Sequence, residues 1–267
     1  MTPPLPGSSA ESSPGSPPGA AMLLAAGLGA RMRPLTAETA KPLLRLAGRT
    51  LLDHALDRLA AAGVARVVVN GHWHAERVRA HLAARPGGPE TVFRPESTLL
   101  DTGGAVRAAL AEGLFGGAVA AGAPFFIVNG DAFWLDGPHP ALARLAEAWA
   151  ETEIDALLLC HRTCQVAAEV GAGDFLLDPW GRPRRRGARD IAPYVFAGVQ
   201  LVSPRLFAED DAALPAAFSM NRLWDRAIAA GRARALVHDG LWFHLSTPPD
   251  LAAAEIALRH PAIGMTR

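Results

Sequence analysis

Short apolar runs alternate with amphipathic stretches along the first 160 residues of the chain. Each run is about as long as one strand, and the stretches between them repeat apolar residues at the spacing of a helix face. This alternation is typical of strand–helix units that build a parallel sheet with helices on its faces. The predicted strands cover residues 21–25, 67–70, 92–93, 125–129 and 156–160.

The stretches between these strands predict helices. Thr50 is placed to cap a helix over residues 51–62, and Gly63 is placed to end it. Further helices are predicted over residues 74–82, from 104 to 110, and over 141–150.

The alternation of apolar runs and amphipathic stretches becomes less regular after Cys164. Residues 166–189 are rich in turn-forming residues and predict loops. We expect one α/β domain over residues 21–267, with a nucleotide-binding half (about 21–135) and a sugar-binding half (about 136–267) sharing a mostly parallel sheet. The later elements are predicted as strands at 194–202, 236 and 241–245, and helices at 223–230 and 251–258.

The composition excludes several classes of protein. The 267 residues carry 26 basic and 26 acidic side chains, and this balance gives no general attraction to nucleic acid or to an anionic membrane. No apolar run approaches the roughly 18 residues of a membrane-spanning helix. Cys160 and Cys164 are too few for a disulfide framework, so we expect a cytoplasmic protein. Residues 1–20 are rich in Pro, Gly and Ser, and we expect a disordered tail there.

A glycine-rich stretch follows the first predicted strand, with the sequence LAAGLGARM over residues 24–32. Gly27 and Gly29 let the backbone approach a ligand and present N–H groups to phosphate oxygens. Arg31 adds a guanidinium group, whose parallel N–H donors are suited to the oxygens of the outer phosphates. Lys41 is the only lysine in the chain, and its compact ammonium fits beside a single phosphate oxygen where a planar guanidinium does not. These features suit a phosphate-binding loop, although a Gly-x-Gly alone is more often a turn than a site.

The whole string, LAAGLGARM followed by PLT at 34–36 and KPL at 41–43, resembles the sugar-1-phosphate nucleotidyltransferase family. It matches each fixed position of that family's opening pattern. Further segments are most similar to the bacterial N-acetylmuramate 1-phosphate uridylyltransferase group, and the resemblance extends from about residue 21 to 255. It implies a Rossmann-like three-layer α/β/α nucleotidyltransferase fold.

The resemblance also implies an enzyme that joins a nucleoside triphosphate to a sugar 1-phosphate and releases pyrophosphate. Lys41 and Arg31 would be the catalytic residues, with Lys41 on the phosphate where negative charge builds during transfer. In the family, the loop corresponding to LDTGGA at 100–105 lies against the nucleotide base. The residues implied to bind the nucleotide are Ala25, Ala26, Gly27, Gly29, Thr102, Gly103 and Gly104.

Asp131 ends the segment VNGD, which closes a predicted buried strand. A carboxylate at the carboxyl end of such a strand lies where open α/β sheets bind ligands. Its oxygen is a hard ligand suited to a Mg²⁺ ion that bridges triphosphate oxygens. The family's metal-binding Gly-Asp matches this position, and Asp131 is therefore the expected metal ligand.

The segment WFHLSTP at 242–248 departs from the family, whose pattern WxDxGT supplies a second metal-binding Asp. His244 stands in place of that Asp, and Ser246 in place of the Gly. Imidazole is a poor Mg²⁺ ligand and suits Mn²⁺ or Zn²⁺ better. Three interpretations follow: Mg²⁺ held by Asp131, phosphates and water with His244 near a phosphate; a preference for Mn²⁺; or binding without turnover. The first is favoured.

The sugar pocket is implied mainly by the second half of the chain. The residues implied to line it are Asn129, Gly173, Asp174 and Gly198. Five arginines between 182 and 189 are by default a solvated loop face, although they could contact the sugar phosphate or a lactyl carboxylate.

The substrates implied by the resemblance are UTP and N-acetylmuramate 1-phosphate, as in the recycling of cell-wall peptidoglycan sugars. Mannose-1-phosphate guanylyltransferase is the alternative enzyme, because relatives of that specificity share the opening motif. A non-catalytic nucleotide-sugar sensor is the alternative of another class, and it is motivated by His244. The sequence makes no prediction of the oligomeric state.

Overall fold

A computed structural model describes residues 18–150, 153–208 and 214–260 of the chain. Nine of the strands form the central sheet, and two pairs form small separate ribbons. The strands are β1 (Ala20–Leu24), β2 (Arg45–Leu46), β3 (Arg49–Thr50), β4 (Arg66–Gly71), β5 (Glu90–Pro95), β6 (Phe125–Asn129), β7 (Phe133–Leu135), β8 (Ala156–Arg162), β9 (Phe175–Leu177), β10 (Pro183–Arg185), β11 (Tyr194–Val202), β12 (Ala233–Val237) and β13 (Leu241–Phe243).

The sheet has a parallel part and an antiparallel part. β6, β1, β4 and β5 lie side by side in this order, and all of them are parallel. β11 then runs antiparallel to β6 and also pairs with β8 and β9, so the two predicted halves of the chain share one sheet. The predicted α/β fold with a mostly parallel central sheet is confirmed.

Helices cover both faces of this sheet. Successive residues of β1 point to opposite faces, so Leu23 packs into one apolar core and Met22 into the other. α1, α2 and α5 bury their apolar sides in the first core, and α3, α4 and α6 in the second. The helices are α1 (Leu51–Ala61), α2 (Ala75–Ala84), α3 (Asp101–Ala111), α4 (Gly117–Ala120), α5 (Ala141–Glu147), α6 (Asn221–Ala229) and α7 (Pro248–Leu258).

The main elements agree with the pattern of the sequence, and Thr50 caps α1 by accepting the N–H of Asp53 at 3.0 Å. The start of the domain needs a correction. β1 begins at Ala20, and the carbonyl of Gly19 accepts the N–H groups of Ala65 and Arg66, so these two residues belong to the fold. Residues 1–17 of the predicted tail lie outside the described residues.

The segment predicted as loop over 166–189 contains two short strands, β9 and β10. They pair with each other, and β9 joins β11 through Tyr194 and Phe175. Three-residue strands carry too little alternation to appear in a hydrophobic pattern, which explains why they were not predicted. None of the described helices is long and apolar enough to cross a membrane.

Two buried histidines make the stability of this fold depend on pH. Burial lowers the pKa of His54 and of His238 below the ordinary value of 6.5, so both stay neutral in the folded protein at pH values where the unfolded chain takes up protons. Their contribution is therefore complete above a pH of about 6.5 and declines below it. We expect the free energy of unfolding to fall between pH 7.5 and 5.5, by at most about 1.4 kcal/mol per pH unit for each histidine.

Urea denaturation at the two pH values measures this slope. Replacing the exposed His139 with asparagine is the matched control, and that variant should show the same slope as the wild type. A free energy of unfolding that stays constant over this interval contradicts the assignment.

Candidate active site

The loop after β1 is shaped by Gly29, which has a φ of 59°. A Cβ atom at this position would lie 3.0 Å from Cγ2 of Thr36 and 3.2 Å from Cβ of Lys41, so both the backbone and the space require glycine. The hydroxyl of Thr36 donates to the carbonyl of Gly29 at 2.8 Å. The loop therefore holds a fixed course beside Lys41, and a 3-10 turn at Ala30–Met32 follows it.

Lys41 and Asp131 form an ion pair in this site. Lys41 begins the short turn Lys41–Leu43, and Asp131 follows β6 by two residues. The lysine Nζ lies 2.5 Å from Oδ2 of Asp131, with 12% of the lysine side chain exposed against 40% of the aspartate. Asn129, which ends β6 opposite Leu24 of β1, lines the same cavity as the pair. The structure thus brings together a cation and a carboxylate that are 90 residues apart in the chain.

The first cavity has a volume of about 500 Å³ and lies at the carboxyl ends of β1, β4 and β6. In a parallel sheet this is the edge at which ligands bind. Most of the predicted nucleotide-binding and catalytic residues meet in its wall, and we name it the nucleotide cavity. The predicted residues in the wall are Ala25, Ala26, Gly27, Gly29, Arg31, Lys41, Thr102, Asn129 and Asp131.

Gly103 and Gly104 need a correction, because they do not line the nucleotide cavity. Both N–H groups donate to the carbonyl of Phe218, at 2.8 and 3.1 Å, so they are not available to a base. A Cβ at Gly103 would lie 2.3 Å from the Phe218 ring, and these glycines therefore serve the close packing of α3 against residues 216–218. Thr102 does line the cavity, and its hydroxyl accepts the N–H of Met220 at 2.9 Å.

Asp101, just before Thr102, was not predicted as a site residue. It lines the nucleotide cavity and has a φ of 57°, a conformation that is uncommon for a residue with a side chain. Its carboxylate accepts the N–H of Thr102 at 2.6 Å. Nothing in the pattern of the sequence indicates this backbone geometry.

A buried polar network in the wall of the nucleotide cavity was also not predicted. Asn70 ends the apolar run of β4, and its side-chain oxygen accepts the N–H of Ala25 at 2.8 Å. Its amide nitrogen donates to Glu96 at 2.8 Å, and Glu96 also accepts the N–H of Leu100 at 3.3 Å. Asn70 and Glu96 thus connect the loop after β1 with the start of α3. The sequence feature that could have indicated this network is the polar residue Asn70 at the end of a buried strand.

We expect the Asn70→Ala variant to be less stable by about 1–3 kcal/mol, because it leaves the buried N–H of Ala25 and a buried carboxylate oxygen of Glu96 without a hydrogen-bond partner. Urea unfolding measures the loss. Gln165→Ala, a polar-to-alanine change at an exposed position, is the control and should stay within about 0.5 kcal/mol of the wild type. An Asn70→Ala protein as stable as this control would contradict the role of the network.

A second cavity of about 460 Å³ adjoins the first, and we name it the sugar cavity. Gly198 lines this cavity, at the point where the register of the pairing between β11 and β8 shifts. Its φ is 81°, and a Cβ would lie 3.0 Å from that of Ala132, so glycine is required there. Trp242 stands in the wall with its indole N–H donated to Ala197 at 2.9 Å.

The other predicted sugar contacts differ in position. Asp174 lines the sugar cavity, but its Oδ2 already accepts the N–H of Phe196 at 2.8 Å. Gly173 lies outside the wall, and a Cβ there would lie 2.2 Å from the carbonyl of Ala192. Gly173 therefore permits a close backbone approach, and its predicted sugar contact is corrected to a packing role.

His244 lies in the wall of the sugar cavity. Burial lowers the pKa of its imidazole; Asp250 and Asp131 raise it, while Lys41 and Arg31 lower it further. The net shift is downward, so the ring is neutral near pH 7 and offers one N–H donor and one lone pair.

The described residues contain no group of three or more His, Cys, Asp or Glu side chains placed to hold a metal ion. Asp131 therefore offers one carboxylate to a metal ion, and the described side chains do not form a complete coordination shell there. This fits Mg²⁺, which usually keeps several waters and binds through one or two carboxylates plus substrate phosphates.

Comparison with known proteins places the chain among nucleotidyltransferases. A family model described as the MobA-like NTP transferase domain matches residues 21–191. A Caulobacter vibrioides protein named N-acetylmuramate alpha-1-phosphate uridylyltransferase is 39% identical over 245 residues, or 90% of this chain and 97% of the relative. A protein of the same name from Neisseria meningitidis serogroup B is 32% identical and covers 88% of this chain and 96% of its own length.

A solved structure of a UDP-glucose pyrophosphorylase complexed with UDP-glucose has the same fold. It covers 90% of this chain and 98% of its own, with a TM-score of 0.73. The two sequences are 13% identical, and this likeness therefore supports the fold alone.

Proposed function

The chain belongs to the MobA-like NTP transferase family, and on this premise we propose that it joins UTP to N-acetylmuramate 1-phosphate, forming UDP-N-acetylmuramate and pyrophosphate. The name of the two relatives that match nearly the full chain supports this choice of base and sugar. The reaction suits the recycling of peptidoglycan sugars. The cytoplasm is the proposed compartment, which accords with two free cysteines.

The position of Lys41 and Asp131 is the observation that carries the proposal. Both side chains line the nucleotide cavity and also the sugar cavity. Arg31 and Asn129 lie in both walls as well. A reaction that joins two phosphorylated substrates needs its charged groups where the two substrates meet, and the shared position of these residues in both cavity walls supports this role.

In the proposed reaction, an oxygen of the sugar 1-phosphate attacks the α-phosphorus of UTP in line, and pyrophosphate leaves on the opposite side. Such chemistry depends on positioning and charge neutralisation more than on covalent help from the protein. Lys41 would contact the α-phosphate and neutralise its developing charge. The backbone of the loop around Gly27 and Gly29, with Arg31, would hold the outer phosphates.

Enzymes of this family generally use a divalent metal ion. We propose Mg²⁺, held by Asp131 together with phosphate oxygens and water. The ion would neutralise charge on the triphosphate when bound. His244 would then contact a phosphate oxygen through its N–H instead of replacing the carboxylate that other members of the family have at this position.

Pyrophosphate release from the purified full chain tests the proposed function. UTP, GTP, CTP and dTTP would each be combined with the 1-phosphates of N-acetylmuramate, mannose, glucose and N-acetylglucosamine, in Mg²⁺ and then in Mn²⁺. We expect the largest kcat/KM for UTP with N-acetylmuramate 1-phosphate in Mg²⁺.

The other combinations of nucleotide, sugar 1-phosphate and metal ion distinguish between the alternative functions. A maximum for GTP with mannose 1-phosphate would establish a guanylyltransferase instead. Activity confined to Mn²⁺ would assign His244 to the metal. Nucleotide binding without pyrophosphate release in any combination would establish a sensor and overturn the proposal.

A further inference from the structure

The sugar cavity contains a positive charge that the nucleotide chemistry does not use. Among the described residues, three lysine and arginine side chains lie in its wall: Arg31, Lys41 and Arg185. Arg31 and Lys41 also line the nucleotide cavity, where the phosphates are expected. Arg185 lines the sugar cavity only. It is therefore placed to meet the part of the second substrate that lies away from the nucleotide.

Arg185 is held in one orientation by its surroundings. It ends β10 opposite Phe175, and its guanidinium carbon lies 4.7 Å from the centroid of that ring and 5.5 Å from that of Trp224. Its Nε donates to Asp225 and its Nη2 to the side-chain oxygen of Asn221, both at 2.7 Å. The indole N–H of Trp224 donates to the buried Gln200 at 2.7 Å, which fixes the aromatic surface beneath the guanidinium.

The guanidinium of Arg185 can still bind a ligand in addition to these partners. Nη1 makes no hydrogen bond with any residue that the structure describes. The carboxylate of Asp225 is 57% exposed, so water screens its charge and the ion pair leaves much of the attraction of Arg185 for a further anion. A preorganised guanidinium on an aromatic surface is suited to a carboxylate.

The neighbouring arginines do not share this position. Arg182, Arg184, Arg186 and Arg189 are exposed and lie outside the wall of the sugar cavity. Arg186 donates its Nε to the carbonyl of Gly173 at 2.9 Å, and Arg182 lies over Trp180. Of the five arginines in this run, which the sequence does not distinguish, Arg185 is the one that lines the sugar cavity.

We propose that Arg185 is a specificity-determining residue that binds a carboxylate carried by the sugar of the sugar 1-phosphate. This inference rests on the proposed function and adds the group that distinguishes an acidic sugar from a neutral one. N-acetylmuramate 1-phosphate and N-acetylglucosamine 1-phosphate are a matched pair of substrates, because they differ only by the lactyl ether that carries the carboxylate.

The test is the kcat/KM of both sugar 1-phosphates with UTP for the wild type, Arg185→Gln and Arg184→Gln. We expect the wild type to prefer the acidic sugar. Arg185→Gln should lower kcat/KM for the acidic sugar about 10- to 100-fold, mainly through KM, because one charged hydrogen-bonding partner is lost. Its kcat/KM for the neutral sugar and its KM for UTP should change less than about threefold, and Arg184→Gln should match the wild type.

Each contrary outcome has a distinct meaning. An Arg185→Gln enzyme that keeps the wild-type preference, or that loses both sugars equally, overturns the role of Arg185 and leaves the proposed function standing. A wild type that uses both sugars equally well overturns the inference as well. A wild type inactive with both sugars overturns the proposed function, and the inference with it.

Discussion

Replacing Lys41 with alanine is expected to lower kcat by about 10²- to 10³-fold while the protein remains folded. The ammonium would neutralise charge that develops on the α-phosphate, and no other lysine exists in the chain to take over. The fold should tolerate the change, because the partner Asp131 is 40% exposed and stays solvated when the lysine is removed. We expect a change in stability below about 1 kcal/mol.

The measurement is steady-state pyrophosphate release, with thermal unfolding followed by circular dichroism on the same samples. Arg45→Ala is the matched control, since Arg45 is an exposed cation four residues further along that lies outside both cavity walls. Lys41→Arg should recover little of the activity, because the planar guanidinium does not replace a compact ammonium beside one oxygen. A Lys41→Ala enzyme that retains more than about a tenth of the wild-type kcat would defeat the assignment.

Asp131→Asn is expected to lower kcat/KM by about 10³-fold in Mg²⁺, and chelation with EDTA should abolish turnover of the wild type. The amide keeps the shape of the side chain but removes the charge that makes the carboxylate a ligand for a hard cation. Its effect should be comparable to that of losing Lys41, since both groups neutralise the same phosphates.

Two readouts identify metal binding as the cause. The Mg²⁺ concentration for half-maximal rate should rise in Asp131→Asn, and binding of Mn²⁺ in the presence of UTP, followed by electron paramagnetic resonance, should weaken. Asp239→Asn is the control, because Asp239 is a half-exposed carboxylate paired with Arg144 at 2.8 Å and lies outside both cavity walls. An unchanged metal dependence in Asp131→Asn would exclude this residue as a ligand.

The sequence predicts the nucleotide side of the fold well because its signals there are local. β6 has the predicted bounds, since Pro124 and Gly130 limit an uninterrupted apolar run. Thr50 caps α1 as expected from its position before the amphipathic stretch. The phosphate loop and Lys41 form a contiguous motif, so their meeting in one cavity follows from a short piece of chain.

The sugar side was harder to predict because its geometry depends on contacts between distant segments. β9 forms by pairing with β11, and β10 forms by pairing with β9; a local sequence pattern does not reveal such pairings. Arg185 differs from Arg184 only in the side of β10 on which it lies, and the register of that strand decides this. Gly103 and Gly104 fit a base-binding motif, yet both of their N–H groups donate to the carbonyl of Phe218, which is 115 and 114 residues away, respectively.

The proposed function transfers the uridylyl group of UTP to the phosphate of an acidic sugar 1-phosphate. Phosphorus NMR of UTP, N-acetylmuramate 1-phosphate and Mg²⁺ with the purified protein tests it most directly, because each phosphorus atom is followed separately. We expect the sugar 1-phosphate signal to disappear while one diphosphate-linked sugar nucleotide forms for each pyrophosphate released. Formation of UMP with the sugar 1-phosphate untouched, or bound UTP that is never consumed, would contradict it.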